Sequence, residues 1–341
     1  MNKYILSIDA GTTSSRAILF DKNAEAVEIA QYEFDQIFPK EGWVEHDALE
    51  ILNTQLRAIR DVINNSKIDP NNIDSVGITN QRETTVIWNK KTGKPVFNAI
   101  VWQDRRTASF CDDLIKNNKT KLIQNKTGLV IDAYFSGTKI KWILDSDPKI
   151  RSQANDGELL FGTIDTWLIW NLTNGQSHIT DPSNASRTLL YNIKKDCWDD
   201  ELLSLFDIPK NILPDVVDSS SISAHIDAKI FGAKIPISGI AGDQQAALFG
   251  QLCTDEGDIK NTYGTGCFCM MNTGKTFVKS NNKMLSTIAW RIDGKLTYAL
   301  EGSVFVAGAL IQWLRDKLGI IKNASEVENL ANTVDNNGGV T

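Results

Sequence analysis

Near the start of the chain an Asp, a run of small hydroxyl residues and an Arg lie between two apolar stretches: Asp9-Ala-Gly-Thr-Thr-Ser-Ser-Arg16. A turn of Gly, Thr12, Thr13 and Ser14 exposes backbone N–H groups and hydroxyls that can cradle phosphate oxygens. Asp9, at the end of the first apolar stretch, suits Mg2+, which takes one or two carboxylates along with phosphate. Arg16 can offset charge on a phosphoryl group in transfer. The same residues also suit an ordinary hairpin whose turn merely satisfies geometry. No Gly-x-x-x-x-Gly-Lys occurs, which argues against P-loop chemistry.

Three further groups could do chemistry. Asn80-Gln81-Arg82-Glu83 follows an apolar run and sets a cation beside an anion. Such a pair can grip neighbouring hydroxyls of a polyol from complementary sides, or form a plain surface ion pair. Trp102 and Tyr134 could cover a polyol's carbons, or fill a core. Gly242-Asp243-Gln244-Gln245 places a carboxylate at the end of a strand and the start of a helix. There Asp243 can accept a hydroxyl proton during phosphoryl transfer, cap the helix, or do both. Gly264-Thr265-Gly266 is a second phosphate-type turn, followed by Gly308 and Gln312 around a later helix. Two such turns, one opening each unit, suggest ATP held in a cleft between them.

The elements that must position these groups follow from periodicity. Residues 4–8, 16–20 and 24–34 read as strands around the first turn. A helix begins at Asp47, with Glu50 as capping-box partner and Leu49, Leu52, Leu56, Ile59 and Ile63 at helical spacing. Strands are expected at 73–79, 84–88 and 99–102, the last before a polar Gln-Asp-Arg-Arg. A second α/β unit is expected near Gly239: a strand at 237–241, a helix at 246–252, and a strand–turn–strand over 259–263 and 267–271. This echoes the opening pattern as a weak repeat of supersecondary structure. Val306, Leu310, Trp313, Leu314 and Leu318 make an amphipathic helix, with Gly319 placed to cap it. Alternating strands and helices define an α/β chain.

Composition bounds the function. The 341 residues carry 36 basic and 42 acidic side chains, net −6, which disfavours a nucleic-acid or membrane-surface binder. The apolar run that stops at Asp9 is too short for a signal-peptide core, so a cytoplasmic protein with reduced cysteines is expected. Five scattered cysteines and three isolated histidines leave little basis for a metal site; Cys267-Phe268-Cys269 reads as strand alternation.

Longer stretches bring in a resemblance: 11–16, Gly42-Trp-Val-Glu-His46, 78–85, 127–131, Tyr134-Phe-Ser-Gly-Thr-Lys139, 162–167, 235–245 and Asn261-Thr-Tyr-Gly-Thr-Gly-Cys267. From Tyr4 to about Val340 the chain resembles the FGGY carbohydrate kinases, and among them those acting on glycerol. The resemblance implies the actin-like (ribonuclease-H-like) ATPase fold, with a glycerol-binding domain over 1–245 and the start of a nucleotide-binding domain over 246–341. It implies ATP-dependent phosphorylation of glycerol to sn-glycerol 3-phosphate, with ATP and Mg2+ as cofactors and oligomerisation left open. Arg82, Glu83, Tyr134, Asp243 and Gln244 would bind the hydroxyls, Trp102 and Phe268 would pack on the carbons, and Asp243 would be the base. Asp9 would position Mg2+. Thr12, Thr13, Ser14 and Arg16 would handle the phosphates, and Thr265, Gly308 and Gln312 would contact the nucleotide.

The chain departs from the family at three places. Ala10 stands where many members carry Gln. Phe231-Gly-Ala-Lys234 stands where some bacterial members carry Gly-x-Arg for fructose bisphosphate, and Lys lacks the bidentate fork of Arg. The segment that closes around adenosine has no counterpart before Thr341, so an incomplete second domain and weak ATP affinity are expected beside a formed glycerol site. Two other readings stay open: an FGGY kinase for a pentulose or gluconate, and a non-catalytic actin-like or kinase-derived module.

Overall fold

Strand alternation in the first thirty residues builds a three-stranded meander. The computed structural model describes residues 3–339 apart from 265, 281 and 305. In it β1 (Tyr4–Ala10) pairs antiparallel with β2 (Ser14–Phe20), and β2 with β3 (Ala26–Glu33). Leu6, Ile8, Ala17 and Leu19 face inward and are fully buried. The period of two therefore puts Asp9 and Arg16, direct cross-strand partners, on the opposite face. The turn between them is tighter than expected: Gly11 N–H donates to Ser14 O at 2.9 Å, and only residues 11–13 lie outside the strands.

The meander is one side of a six-stranded sheet. Its other strands are β4 (Ile73–Asn80), β5 (Ser220–Ile226) and β6 (Ile235–Gly242), in the order β5-β6-β4-β1-β2-β3. β1, β4 and β6 run parallel, so Ala10, Asn80 and Gly242 end together. This corrects the expectation that a second unit opens near Gly239: that strand belongs to the first sheet. Its local pattern announced a strand, but one of its two partners, β4, lies far back in sequence. Helices α1 (Ala48–Ser66) and α3 (Ile164–Leu172) put buried apolar side chains into the same core as these strands. The Asp47 carboxylate caps α1 through Leu49 N–H, whereas Glu50 accepts from Asp35 N–H, so the expected reciprocal box does not form.

Between β4 and β5 a largely helical insertion packs its own core and carries α2 (Ser136–Ser146). After β6, α4 (Asp243–Gly250) begins at Asp243 itself, one residue inside the cap position that Gly242 fills. A second, four-stranded sheet follows: β7 (Ile259–Tyr263), β8 (Cys267–Gly274), β9 (Leu285–Ile292) and β10 (Lys295–Val304), ordered β7-β8-β10-β9. α5 (Gly308–Asp316) starts later than Val306 and buries none of its residues. Gly319 lies beyond its end at φ 65°. Among the described residues no helix is long and apolar enough to cross a membrane.

Candidate active site

Three strand ends converge on one cavity. Parallel strands leave their carboxyl ends, and the loops that follow, on one side, where ligands of open α/β sheets bind. There Ala10 leads into the Gly11–Ser14 turn, Asn80 into Gln81-Arg82-Glu83, and Gly242 into Asp243-Gln244. The cavity, about 530 Å3, is lined by Thr12, Thr13, Arg82, Glu83, Trp102, Tyr134, Asp243, Gln244, Gly264 and Phe268, with Gln36, Thr262 and others. All seven residues expected to meet a polyol are among them. A different cavity, about 330 Å3, lies against Ser7, Gly77, Gly239, Phe249 and Trp290, and no charged side chain lines it.

Two backbone features aim the ion pair. Glu83 adopts φ 62°, a conformation a non-glycine residue holds only when its surroundings impose it. Ser136 Oγ donates to the Glu83 carbonyl at 3.0 Å and so helps hold it. A Cβ on Gly242 would lie 2.7 Å from Arg82 Cγ and Cδ, so only glycine lets the guanidinium pass the strand end.

The charges form a buried network. Arg82 Nη1 donates to Glu301 Oε2 at 2.6 Å, and Nη2 donates to Glu301 Oε1 at 3.1 Å and to Tyr134 OH at 3.3 Å. Arg187 Nε donates to Glu83 Oε1 at 2.6 Å, and Arg187 Nη2 to Glu301 Oε1 at 2.9 Å. Two guanidiniums thus balance two carboxylates. Asp243 stands at the open end, its Oδ1 3.4 Å from Arg82 Nε and its side chain 42% exposed. Burial raises Glu301, but Arg187 and Arg82 outweigh it and hold the carboxyl down at about 2. Glu83 meets the same cations through fewer bonds, and there burial wins: its carboxyl is raised.

An aromatic wall closes one side. The Trp102 ring lies edge-on to Tyr134 at 5.7 Å and to Phe268 at 6.3 Å. Burial pushes the Tyr134 phenol up, so it remains a neutral hydroxyl. Lys139, fully buried on α2, donates to the carbonyls of Tyr134 and Phe135, the latter at 3.2 Å. Burial lowers its amine to about 7. Trp102 Nε1 donates to Thr12 Oγ1 at 3.0 Å, tying the wall to the phosphate-type turn. The Gln-Asp-Arg-Arg after Trp102 is structural at its end: Arg106 pairs with Asp104 and Glu45 and stacks on Trp43, 3.8 Å from the ring centre.

At the turn, Asp9 and Arg16 approach to 4.0 Å, Gln31 Nε2 donates to Ser14 Oγ at 2.9 Å, and Arg16 Nε donates to Gln31 Oε1 at 3.0 Å. Burial raises the Asp9 carboxyl; Arg16 opposes this and Asp243 adds to it. Asp9 beside the turn offers carboxylate oxygens and no nitrogen or sulfur ligand. That fits Mg2+, which completes its shell with water and phosphate. Gly308 and Gln312 do not reach this cavity. With Gly264, Ile311 and Arg315 they line a neighbouring one of about 590 Å3, and Gly264 borders both. Thr265 lies outside the described residues.

Sequence reasoning missed Glu301, Arg187, Lys260 and Lys139. A lone charge within an apolar strand, as in Ala299-Leu300-Glu301, was the available signal for the first.

The N-terminal domain profile of the FGGY family of carbohydrate kinases matches residues 4–250. A glycerol kinase of Alkaliphilus oremlandii is 60% identical over 341 residues, all of this chain and 68% of the relative. Glycerol kinase 2 of Thermotoga maritima is 58% identical over 338 residues, 99% of this chain and 68% of that protein. The crystal structure of Plasmodium falciparum glycerol kinase with ADP superposes with a TM-score of 0.92 at 37% identity, covering 98% of this chain and 67% of that one. A gluconate kinase from Lactobacillus acidophilus shares the fold, with a TM-score of 0.87 at 24% identity over 98% of this chain and 66% of its own. The chain belongs to the FGGY carbohydrate kinases, and it spans about two thirds of the length of these relatives.

Proposed function

We propose that this chain binds glycerol and supplies the polyol side of ATP-dependent phosphorylation to sn-glycerol 3-phosphate, with residues 1–245 as the glycerol-binding unit and 246–341 as the start of the nucleotide-binding unit. Arg82, Glu83, Tyr134 and Gln244 bind the hydroxyls, and Trp102 and Phe268 cover the carbons. Asp243 orients the attacking hydroxyl and takes its proton as the oxygen bonds to the terminal phosphorus and ADP leaves. Thr12, Thr13, Ser14 and Arg16 attend to the phosphates, and Thr265, Gly308 and Gln312 to the nucleotide. Asp9 would hold Mg2+, which neutralises phosphate charge when bound. The reading carries with it the cytoplasm as the setting.

The observation that supports this best is the position of Asp243. It is the one acidic group of the network left at the cavity's open end, beside a fixed ion pair and an aromatic wall, facing the Asp9–Arg16 turn. A hydroxyl lying on that wall finds an acceptor in Asp243 and donors in Arg82 and Tyr134. Calorimetry with glycerol, a pentulose and gluconate tests the substrate; the expected result is binding of glycerol alone. Tighter binding of a larger sugar overturns glycerol. Asp243→Asn in a coupled ADP-release assay tests the base, and full turnover by that variant removes the assignment.

A further inference from the structure

Gln244 is a hydroxyl-binding group only if its amide points the right way, and this inference rests on the glycerol reading. An amide can rotate by half a turn and keep its shape while exchanging donor for acceptor. Lys260 on β7 decides which way it lies. It is 5% exposed, and its Nζ donates to Gln244 Oε1, to Thr262 Oγ1 at 2.8 Å and to the Phe268 carbonyl at 3.4 Å. An ammonium has three donors and no acceptor, so it accepts only the oxygen end of the amide as its partner. The nitrogen end is thereby turned away. Gln244 Nε2 lies 3.3 Å from Asp243 Oδ2, and the side chain lines the cavity.

We propose that Lys260 is a positioning residue that locks the Gln244 amide with its NH2 toward Asp243 and the ligand hydroxyl. An alcohol oxygen carries one hydrogen and two lone pairs. With the lock in place its hydrogen meets the Asp243 carboxylate and a lone pair meets the Gln244 amide. With the amide reversed, two acceptors face each other and the hydroxyl loses a donor. The second sheet thus sets the polarity of a group on α4, one residue from the proton acceptor.

The test is a double-mutant cycle read by calorimetry with glycerol at pH 7, where Lys260, lowered by burial to about 8, is still largely charged. Lys260→Met is expected to weaken binding about tenfold, or about 1.4 kcal/mol. In a Gln244→Ala background the same change is expected to alter binding by less than about twofold, since a lock without its amide does nothing. A full loss that persists in that background overturns the proposal and moves the effect to Thr262 or Phe268. Binding by Lys260→Met within about twofold of the unaltered chain also overturns it. Gln244→Glu, which keeps Lys260 and its packing, is a second arm should Lys260→Met not fold. It turns an acceptor toward Asp243 and is expected to bind more weakly than Gln244→Ala, whereas equal or tighter binding refutes the assigned polarity. No binding by the unaltered chain overturns the glycerol reading and this inference together; binding without the coupling overturns only the inference.

Discussion

Glu301→Gln removes one charge from the buried network and almost no volume. Glu301 receives bonds from both Arg82 nitrogens and from Arg187, and its side chain has no solvent exposure. Its carboxyl is held at about 2 against an ordinary value of 4.5. A carboxyl held that far below its ordinary value corresponds to about 3 kcal/mol of stability. The figure agrees with the ~3–5 kcal/mol typical of breaking a buried ion pair from one side. The sign follows from the depressed carboxyl: its stabilisation is present above 4.5 and disappears as pH falls through about 2. Urea unfolding followed by tryptophan fluorescence at pH 7 should show the variant weaker by about 3 kcal/mol with an unchanged m-value. The unaltered chain should lose stability between pH 4.5 and 2 by a component that the variant lacks. A variant within about 0.5 kcal/mol of the unaltered chain, or one with the same acid dependence, refutes the reasoning.

Gly128→Ala should cost more than about 3 kcal/mol in urea unfolding: Gly128 sits at φ 75° and an added Cβ would lie 2.3 Å from the Ser286 carbonyl oxygen. Gly242→Ala would bring a Cβ to 2.7 Å from Arg82 Cγ and Cδ; glycerol affinity in calorimetry should fall at least about tenfold, with about 1–3 kcal/mol lost in stability. His46 is buried against Gln36 Oε1 at 2.7 Å, and burial lowers it to about 4. The unfolded chain therefore takes up a proton that the folded one refuses. His46 lends stability fully above 6.5 and loses it as pH falls to about 4, on the order of 3 kcal/mol. His46→Gln should remove that part of the pH profile measured by urea midpoints.

Much of the first sheet was legible because alternation and turn chemistry are local. β1, β2, β3 and β4 lie where apolar period and punctuation put them, within a residue or two. The β1–β2 pairing followed from its turn, but the long-range pairings were not legible. β6 was read as opening a second unit, yet it lies parallel to β4, a pairing across more than a hundred residues that no local pattern encodes. The candidate site divides the same way. Arg82, Glu83 and Asp243 declared themselves as charges at strand ends, where a side chain leaves the sheet. Arg187 and Lys260, in a turn and a strand, gave no such sign, and Glu301 gave only that of a lone charge in an apolar strand, because sequence shows that a residue is charged but not that it is buried. The residues behind the site, which hold the visible ones in place, were therefore the ones missed.

That division has a physical reason. A polyol offers no net charge, so its site must hold donors and acceptors rigidly without leaving an unbalanced ion in a poor dielectric. The chain meets this by neutralising Arg82 and Arg187 with Glu83 from the loop after β4 and Glu301 from β10, so the Arg82–Glu83 pair that lines the cavity is already balanced in charge. Asp243 stays partly exposed where it lines the cavity, and Asp9, partly exposed beside Arg16, stands at the end of β1 next to the turn that lines it. Two carboxylates there repel a bare phosphate chain at close range, and one arginine offsets only part of that field. A phosphate donor that brings its own divalent cation meets no such barrier, because the cation is attracted by the same carboxylates. The internally balanced floor and the acidic rim are thus two parts of one arrangement: under the proposed function the floor would take a small neutral alcohol, and the rim would favour phosphate that brings its own divalent cation.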